Sequence, residues 1–492
     1  MSAMSTAALS PADGPDTGIG TGPGPAAEPY RSPYQSYVYA YPHKTAYRPL
    51  QPRPRLAELW AQEPKQALSF YAHIPFCEVR CGFCNLFTRI GAPDGLTTAY
   101  LDALDRQAAR VAAAVGAEAR FAQAAFGGGT PTFLTAAELE RLCDIVETRM
   151  GADLRAIPLS VEASPSTSTR DRMAVLAERG TTRLSLGVQS FVEHEARAAV
   201  RPQRRADVET AIGLVRDARI PVLNLDLIYG IDGQTEASWR YSLDAALAWE
   251  PEELYLYPLY VRPLTGLARR EQADAARESA TAAPTADAPT ADGPAAADPE
   301  WDARRLALYR SGRDQLLAAG YEQVSMRMFR RAASPQAGGT EYCCQTDGMI
   351  GLGCGARSYT HALHYSFDYA VSMTEIRGIV DDYVARPAED FDRAEVGWAM
   401  DAQEARRRHL IQSLLQNEGL DTAGYRERFG TSAAEDFAAE LERLHDLGWL
   451  DDAVTVPGRL RLTPEGLAHS DAVGPAFFSS RAATAMAAYQ AR

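Results

Sequence analysis

Short apolar runs alternate with amphipathic segments from about residue 68 to residue 261. Six of the runs have the length and composition of strands, and they lie at 69–75, 124–129, 158–164, 183–190, 221–230 and 253–261. Segments with helical periodicity, such as 97–115 and 135–149, lie between them. Strands that alternate with helices form parallel βα units. The pattern therefore predicts an α/β fold with a partial (βα)6 barrel.

Polar residues and glycines follow the predicted strands at their carboxyl ends. Active sites of βα barrels lie at the carboxyl ends of the strands. The residues at those positions here are Cys77, Gly127 to Thr130, Glu162, Gln189, Asp226 and Tyr260. We therefore expect a functional site at this end of the barrel.

The regions outside the core barrel, which we place at 49–267, differ from it in composition. Residues 1–29 have no aromatic ring, which predicts a disordered tail. Residues 30–48 are rich in tyrosine, and we call this segment the strap. We expect the strap to pack on the main body, with a roof over a substrate pocket as the alternative. Segment 268–300 is rich in Ala, Pro, Thr and Asp and predicts a disordered insertion.

Two regions complete the chain after that insertion. Residues 301–390 predict an extension that closes the barrel, with a strand-like patch at 322–329. Residues 391–492 predict a C-terminal helical, winged-helix-like module, from helical patterns followed by a hairpin-like pair. The module has more acidic than basic residues, so we expect it to pack against the barrel rather than bind DNA.

Composition restricts the function further. The 492 residues include 50 basic and 64 acidic ones, a net charge of −14, which argues against nucleic acid as the main partner. Lys44 and Lys65 are the two lysines, and neither lies where a phosphate-binding loop or a Schiff-base enzyme needs one. Seven cysteines make no disulfide framework, and no apolar run or leader pattern indicates a membrane span or secretion. We expect a cytoplasmic protein.

Cys77, Cys81 and Cys84 form a Cys-x3-Cys-x2-Cys run directly after the first predicted strand. Thiolates this close are ligands of one soft metal centre. Structural zinc is one candidate, but it needs four protein ligands, and no fourth Cys or His lies nearby. Three thiolates also suit a [4Fe–4S] cluster whose fourth iron binds S-adenosylmethionine (SAM). Such a cluster cleaves SAM to a 5′-deoxyadenosyl radical.

The chain resembles the radical SAM enzymes of the oxygen-independent coproporphyrinogen III oxidase type, the HemN/HemW-like family. The resemblance covers 69–267, continues through 301–365 and reaches the C-terminal module. It rests on five motifs in order, YAHIPFCEVRCGFC, FGGGTPTFL, SVEASP, RLSLGVQSF and NLDLIYG.

The resemblance implies which residues hold the cofactors. The three cysteines would hold the cluster, Tyr71 would lie beside the SAM sulfonium, and Arg201 would bind the methionine carboxylate. The full set of implied SAM contacts is Tyr71, Phe83, Gly128, Gly129, Thr130, Glu162, Gln189, Arg201, Asp226 and Tyr260. Taken singly, each also has an ordinary structural explanation, such as a turn or a helix cap. The resemblance assigns no catalytic residue that acts on the substrate.

Two departures from the family pattern affect the substrate. Members that decarboxylate porphyrinogens carry a Cys where this chain has Leu86, and haem-chaperone members carry a His-Asn-x-x-Tyr-Trp stretch where it has 341–353. Oxidative decarboxylation of coproporphyrinogen III is the leading reaction by resemblance. The alternatives are a haem-binding chaperone and a methyltransferase or cyclase that acts on another natural product.

The resemblance also implies partners, and the remaining cysteines raise a further question. We expect a small-molecule substrate, an electron donor such as flavodoxin or ferredoxin, and a monomer. For Cys343, Cys344 and Cys354 we expect plain packing, with a pocket thiol or an auxiliary cluster as alternatives.

Overall fold

The computed structural model describes residues 32–281, 298–332, 334, 343–451 and 458–491. The predicted disordered tail, 1–29, lies outside these ranges, as do residues 282–297 of the predicted insertion. No helix in the described ranges has the length and hydropathy of a membrane span.

The strands of these ranges are numbered in chain order. They are β1 (Arg48–Pro49), β2 (Leu68–Ile74), β3 (Phe76–Cys77), β4 (Arg89–Ile90), β5 (Phe121–Gly128), β6 (Leu159–Ala163), β7 (Thr181–Gln189), β8 (Val222–Tyr229), β9 (Glu253–Pro258), β10 (Tyr321–Gln323), β11 (Met328–Arg331), β12 (Met349–Leu352), β13 (Arg357–Tyr359), β14 (Leu363–Ser366), β15 (Val396–Ala399), β16 (Leu420–Asp421) and β17 (Arg459–Leu460).

The helices are numbered in the same way. They are α1 (Leu56–Trp60), α2 (Leu96–Val115), α3 (Ala136–Met150), α4 (Arg170–Glu178), α5 (Glu193–Ala198), α6 (Arg205–Asp217), α7 (Glu236–Leu247), α8 (Gly266–Thr281), α9 (Pro299–Ala318), α10 (Cys344–Asp347), α11 (Met373–Ala385), α12 (Ala402–Leu414), α13 (Thr422–Phe429), α14 (Ala433–Asp436), α15 (Ala438–Asp446), α16 (Pro464–Ala468), α17 (Ser470–Ala476) and α18 (Ser480–Ala487).

The six predicted strands form the centre of one large sheet. They are β2, β5, β6, β7, β8 and β9, and each pairs in parallel with the next. Strand β2 is buried along nearly its whole length, as expected where helices cover the outside and side chains fill the inside. The predicted α/β fold and its partial barrel are confirmed.

The sheet is wider than the sequence predicted. Strand β12 adds in parallel to β2, and β13, β14, β15 and β1 continue that edge in antiparallel pairing. At the other edge β11 pairs with β9 and β10 pairs with β11, so the strand-like patch at 322–329 is a hairpin. The order across all thirteen strands is β1-β15-β14-β13-β12-β2-β5-β6-β7-β8-β9-β11-β10. The predicted extension therefore lengthens the sheet at both edges.

Helix α8 corrects the prediction of disorder over 268–300. It occupies the first part of that segment, from Gly266 to Thr281. Alanine, arginine, glutamate and glutamine in this stretch all favour a helix, whereas the prediction rested on the Ala, Pro, Thr and Asp content of the whole segment.

The C-terminal module has its own apolar core. That core includes Leu410, Leu414, Tyr425 and Phe477, and strap residue Tyr41 packs into it. The two-stranded pairing of β16 with β17 gives the module the predicted combination of helices with a small antiparallel sheet. Strand β15 falls inside the predicted module, 391–492, but it pairs in the large sheet. The module's own elements therefore begin at α12.

Candidate functional site

A cavity of about 250 Å³ opens inside the barrel and is lined by residues of the central strands. Three of the expected SAM contacts, Tyr71, Glu162 and Asp226, line it together with Gly127. These residues lie on β2, β6, β8 and β5, so strands that are distant in sequence place them together. Its other lining residues are Tyr37, Ala125, Phe126, Ser160, Arg183, Ser185, Tyr255 and Tyr257.

The cysteine loop leaves β2 at the mouth of the barrel. Cys77 ends β3, and its Sγ lies 3.4 Å from the hydroxyl of Thr130. The backbone N–H of Gly82 donates to the carbonyl of Ala199 at 3.0 Å, and the carbonyl of Gly82 accepts from Leu267 at 2.8 Å. The loop is thus fastened at its middle, between Cys81 and Cys84.

Arg201 connects the cysteine loop to the barrel strands. One terminal nitrogen donates to Cys81 Sγ at 3.1 Å, and the other donates to the carbonyl of Gly187 at 2.7 Å and to Ser164 Oγ at 3.3 Å. A guanidinium held in this way places positive charge beside Cys81, and its role toward the methionine carboxylate of SAM stays a prediction from the resemblance.

The glycines after β5 allow the backbone to pass close to its neighbours. Gly128 has φ +117°, which a residue with a side chain rarely adopts, and a Cβ there would lie 2.6 Å from the ring of His73. Its N–H donates to a carboxylate oxygen of Glu162 at 3.0 Å. A Cβ on Gly129 would lie 2.7 Å from the carbonyl oxygen of Phe76. The backbone here is fixed against the start of the cysteine loop.

Gln189 ends β7 in a strained backbone conformation. Its φ is +68°, although it is not glycine, and the pairing with β8 shifts register between Gly187 and Gln189. Such strain costs on the order of 1 kcal/mol or more and concentrates at functional sites. The bulge orients this expected SAM contact beside the Gly187 carbonyl that accepts from Arg201.

The two carboxylates of the cavity have raised pKa values. Enclosure by the surrounding protein raises the pKa of Glu162 to about 7, with a smaller contribution from the charge of Asp226 and against the hydrogen bond from the Gly128 N–H. Burial also raises the pKa of Asp226, against hydrogen bonds from Asn224 and Ser185. The side chain of Glu162 remains open to the cavity. Close acidic groups of this kind favour a ligand that brings a cation or hydroxyl donors.

Two expected SAM contacts lie elsewhere. Phe83 packs with Ala198 and Val261 against the apolar cluster around Leu259. Tyr260 donates its hydroxyl to Asp471 of helix α17, so in this structure it joins the barrel to the C-terminal module. Their assignments as SAM contacts stay predictions that rest on the resemblance.

The tyrosine strap reaches both parts of the molecule. The ring of Tyr37 lines the cavity and lies 6.1 Å from the ring of Tyr257, while buried Tyr34 contacts the rings of Tyr229 and Tyr260. The strap therefore packs on the main body, and its Tyr37 ring also lines the cavity, whereas a roof over a substrate pocket stays a prediction.

The sequence interpretation missed polar residues inside the barrel. Arg183 donates to Glu253 at 2.6 Å and to Ser160 at 3.1 Å, and it places a cation beneath the cavity. The sequence carried a signal for these residues, because residues two apart on a strand share one face. Arg183 and Ser185 have this spacing on β7, as Tyr255 and Tyr257 do on β9.

The thiols and their surroundings fit a [4Fe–4S] cluster with SAM. Three thiols lie on one loop beside the cavity, and burial raises the pKa of Cys77 to about 12 in the protein without metal. Among the described residues no three Cys, His, Asp or Glu side chains are grouped around a single metal ion. A four-iron cluster instead takes each thiolate on a different iron. Leu86, at the position of the family's additional Cys, is exposed.

The remaining cysteines are separate from this loop. Cys343 Sγ donates to Gln412 at 3.3 Å, Cys354 is fully buried beside Tyr100, and Cys143 is buried within α3. Burial raises the pKa of Cys344 to about 12. These contacts support packing, and none of them points to a second cluster.

Two family profiles match the chain. The profile described as the Radical SAM superfamily matches residues 71–246, and the HemN C-terminal domain matches residues 400–469. Together the two matches cover half of the chain.

Curated relatives and a solved structure agree with the profiles. The oxygen-independent coproporphyrinogen III oxidase of Salmonella typhimurium is 27% identical over 419 residues, covering 81% of this chain and 84% of that protein. The heme chaperone HemW of Bacillus subtilis is 32% identical over 197 residues, 40% of this chain and 52% of its own length. The structure of coproporphyrinogen III oxidase (HemN) from Escherichia coli matches with a TM-score of 0.71 and 24% identity, over 90% of this chain and 96% of that one. The last match supports the fold.

Proposed function

Because this chain belongs to the radical SAM superfamily and carries a HemN-type C-terminal domain, we propose that it oxidatively decarboxylates a coproporphyrinogen III-like tetrapyrrole. The observation that carries the proposal is the connection of Cys81 through Arg201 to the barrel, beside the cavity lined by Tyr71, Glu162 and Asp226. The similarity to the Salmonella typhimurium oxidase extends over most of both chains and supplies the substrate class.

The cysteines hold the cluster, and the polar residues of the barrel bind and orient SAM. When bound, these cofactors supply one electron and a 5′-deoxyadenosyl radical that removes a hydrogen atom from the substrate. Arg201 neutralises a carboxylate, the backbone after β5 approaches closely because Gly128 and Gly129 have no side chain, and Glu162 accepts hydrogen bonds. Tyr37 covers the cavity and excludes water.

The atoms and electrons of each decarboxylation must balance. A propionate side chain that becomes a vinyl group loses one hydrogen atom to the adenosyl carbon, one CO₂ and one electron. The electron therefore needs a one-electron acceptor, whereas the initial cleavage of SAM needs a one-electron donor. We propose a flavodoxin or ferredoxin as the donor, a monomeric enzyme, and a reducing cytoplasm as the compartment that suits the free cysteines.

The test is an anaerobic turnover assay. The protein is reconstituted with iron and sulfide and reduced with a limiting amount of dithionite. It is then supplied with SAM and a one-electron acceptor and followed for 5′-deoxyadenosine and tetrapyrrole mass with and without coproporphyrinogen III. Deoxyadenosine together with loss of propionate carboxyl groups is the expected result. Formation of deoxyadenosine with unchanged tetrapyrrole would overturn the proposed substrate assignment and favour the methyltransferase or cyclase alternative. Stoichiometric haem uptake without deoxyadenosine would favour the chaperone.

Cys81→Ala tests the cluster in the same assay. The variant should lose most of its bound iron and all deoxyadenosine formation, because two thiolates and Arg201 cannot replace the missing ligand. Cys143→Ala is the matched control, since it removes a buried thiol from helix α3 and should keep full activity. Turnover by the Cys81 variant at the control's rate would refute the assignment of the loop.

A further inference from the structure

Lys44, Arg262 and Arg357 have no carboxylate partner among the described residues, as is also true of Arg80 and Arg201 at the cysteine loop. Lys44 lies in the strap, Arg262 follows β9 and Arg357 begins β13. None of the three forms an ion pair with any residue in the ranges that the structure describes. Most of the buried or half-buried arginines elsewhere in these ranges do so, as Arg183 does with Glu253. Cations left unpaired in this way indicate an anionic ligand.

Lys44 lies beside the cysteine loop. Its Nζ is 3.6 Å from the centre of the Tyr369 ring. The hydroxyl of Tyr369 donates to the carbonyl of Asn85 at 2.6 Å, and Asn85 follows Cys84 directly. The ammonium group is therefore positioned, through one ring, next to the end of the loop that holds the cluster.

Arg357 lies between the strap and the cavity. Its guanidinium is 4.9 Å from the centre of the Tyr39 ring, and that ring is 5.3 Å from the ring of Tyr37, which lines the cavity. Among the described residues, one terminal nitrogen of Arg357 is buried without a hydrogen-bond partner. An unsatisfied buried donor of this kind is costly, and a bound acceptor would remove that cost.

The guanidinium of Arg262 lies 4.4 Å from the centre of the Tyr260 ring, and all three charges affect His43 of the strap. Burial lowers the pKa of His43, and the charges of Lys44, Arg357 and Arg262 lower it further. Burial and the charge of Arg357 likewise lower the pKa of Lys44. Within the strap, the hydroxyl of Tyr39 lies 3.1 Å from Nε2 of His43. Like charges that share an enclosure destabilise each other, and a carboxylate bound among them would remove that cost.

We propose that Lys44, Arg262 and Arg357 form a carboxylate-binding site that holds propionate groups of the substrate at the mouth of the barrel. The inference rests on the proposed function, because a tetrapyrrole with four propionates supplies several carboxylates at once. Propionates held by these cations would orient the tetrapyrrole, and the propionate that faces the cavity would be the one that reacts. Lys44, Arg262 and Arg357 are thus specificity-determining residues.

The test measures binding of coproporphyrin III, a stable tetracarboxylate, to the anaerobic holoenzyme with SAM by fluorescence titration. Lys44→Met and Arg357→Met should each weaken binding about 10-fold or more, since each removes a charge-assisted contact. Arg240→Met is the matched control, because its ion pair with Glu236 is exposed on helix α7, and it should bind like the wild type. The tetramethyl ester, which lacks the charges, should bind the wild type and both variants equally weakly.

A second measurement separates binding from folding and from cluster assembly. Iron content and tetrapyrrole-independent formation of deoxyadenosine should stay at the wild-type level in Lys44→Met and Arg357→Met. Loss of iron or of deoxyadenosine in Lys44→Met would overturn the proposal, because the lysine would then act on the cluster.

The site and the proposed function can fail separately. Decarboxylation by the wild type, with unchanged coproporphyrin III affinity in both variants, overturns the carboxylate site and leaves the function. Absence of decarboxylation, with affinity lost in both variants, overturns the function and leaves the site. A wild-type holoenzyme that binds the ester as tightly as the acid overturns the site outright.

Discussion

Replacing Asp471 by Asn removes one charge from a buried ion pair that joins the C-terminal module to the barrel. Asp471, on helix α17, accepts from Arg327 and from the hydroxyl of Tyr260. The two charged side chains are 1% and 6% exposed, so water cannot replace the lost carboxylate. The amide of the variant keeps an oxygen for Tyr260 but leaves the Arg327 cation without a counter-charge.

The size of the effect follows from burial. Breaking one side of a buried pair costs about 3–5 kcal/mol, because the remaining ion stays out of water. For a cooperative unit of about 200 residues, 3 kcal/mol corresponds to a fall in Tm of roughly 6–12 °C. Glu465→Gln is the matched control, since it breaks the Arg310–Glu465 pair between helix α9 and the same module. Those side chains are 43% and 40% exposed, so that change should cost at most about 1 kcal/mol.

Both variants are compared with the wild type by thermal melts followed by circular dichroism and by urea unfolding followed by tryptophan emission. If burial is the origin of the stabilisation, Asp471→Asn should lower Tm and the free energy of unfolding clearly more than Glu465→Gln does. Equal shifts for Asp471→Asn and Glu465→Gln would refute it and would indicate that the apolar contacts attach the module by themselves. A large effect of Glu465→Gln alone would refute it equally.

Two further predictions concern the SAM site. Gly129→Ala should lower SAM-dependent deoxyadenosine formation strongly and destabilise the protein by about 1–3 kcal/mol, because its Cβ would press on the Phe76 carbonyl at 2.7 Å. Gly213→Ala, in helix α6 with open space around its Cβ, should be neutral or stabilising, and equal losses in both would exclude the steric explanation. Glu162 has a pKa raised to about 7 by enclosure, above its value in the unfolded chain, so its contribution to stability should fall as pH rises from about 4.5 to 7. Glu162→Gln should flatten that slope in thermal melts of the SAM-free protein, and an unchanged slope would assign it to other groups.

The barrel and the cysteine loop could be predicted because their signals are local. The six central strands are contiguous apolar runs, and Cys77, Cys81 and Cys84 lie within eight residues of one another. Parallel βα units place strand ends together, so spacing alone placed Glu162 and Asp226 at one end of the barrel. The structure brings both to the same cavity.

The edges of the sheet could not be predicted in the same way. Strand β12 has four residues and pairs in parallel with β2, which is more than 270 residues earlier in the chain. Such a pairing depends on which backbone edge remains open after the barrel forms, and a short apolar run does not encode it. The prediction of disorder over helix α8 was wrong for a different reason, because the helix propensity of its residues outweighed the composition of the segment.

By itself the sequence determined the order of the barrel strands and the cysteine run, because periodicity and spacing are properties of neighbouring residues, and its motifs carried the resemblance to the HemN/HemW-like family. Tertiary structure alone decided that Tyr260 pairs with Asp471, that Tyr37 lines the cavity, and that Lys44 and Arg357 lie against the rings of Tyr369 and Tyr39. These contacts join residues from the strap, the barrel, the extension and the C-terminal module. Their chemistry depends on burial and on the distance between charges, which exist once the chain has folded.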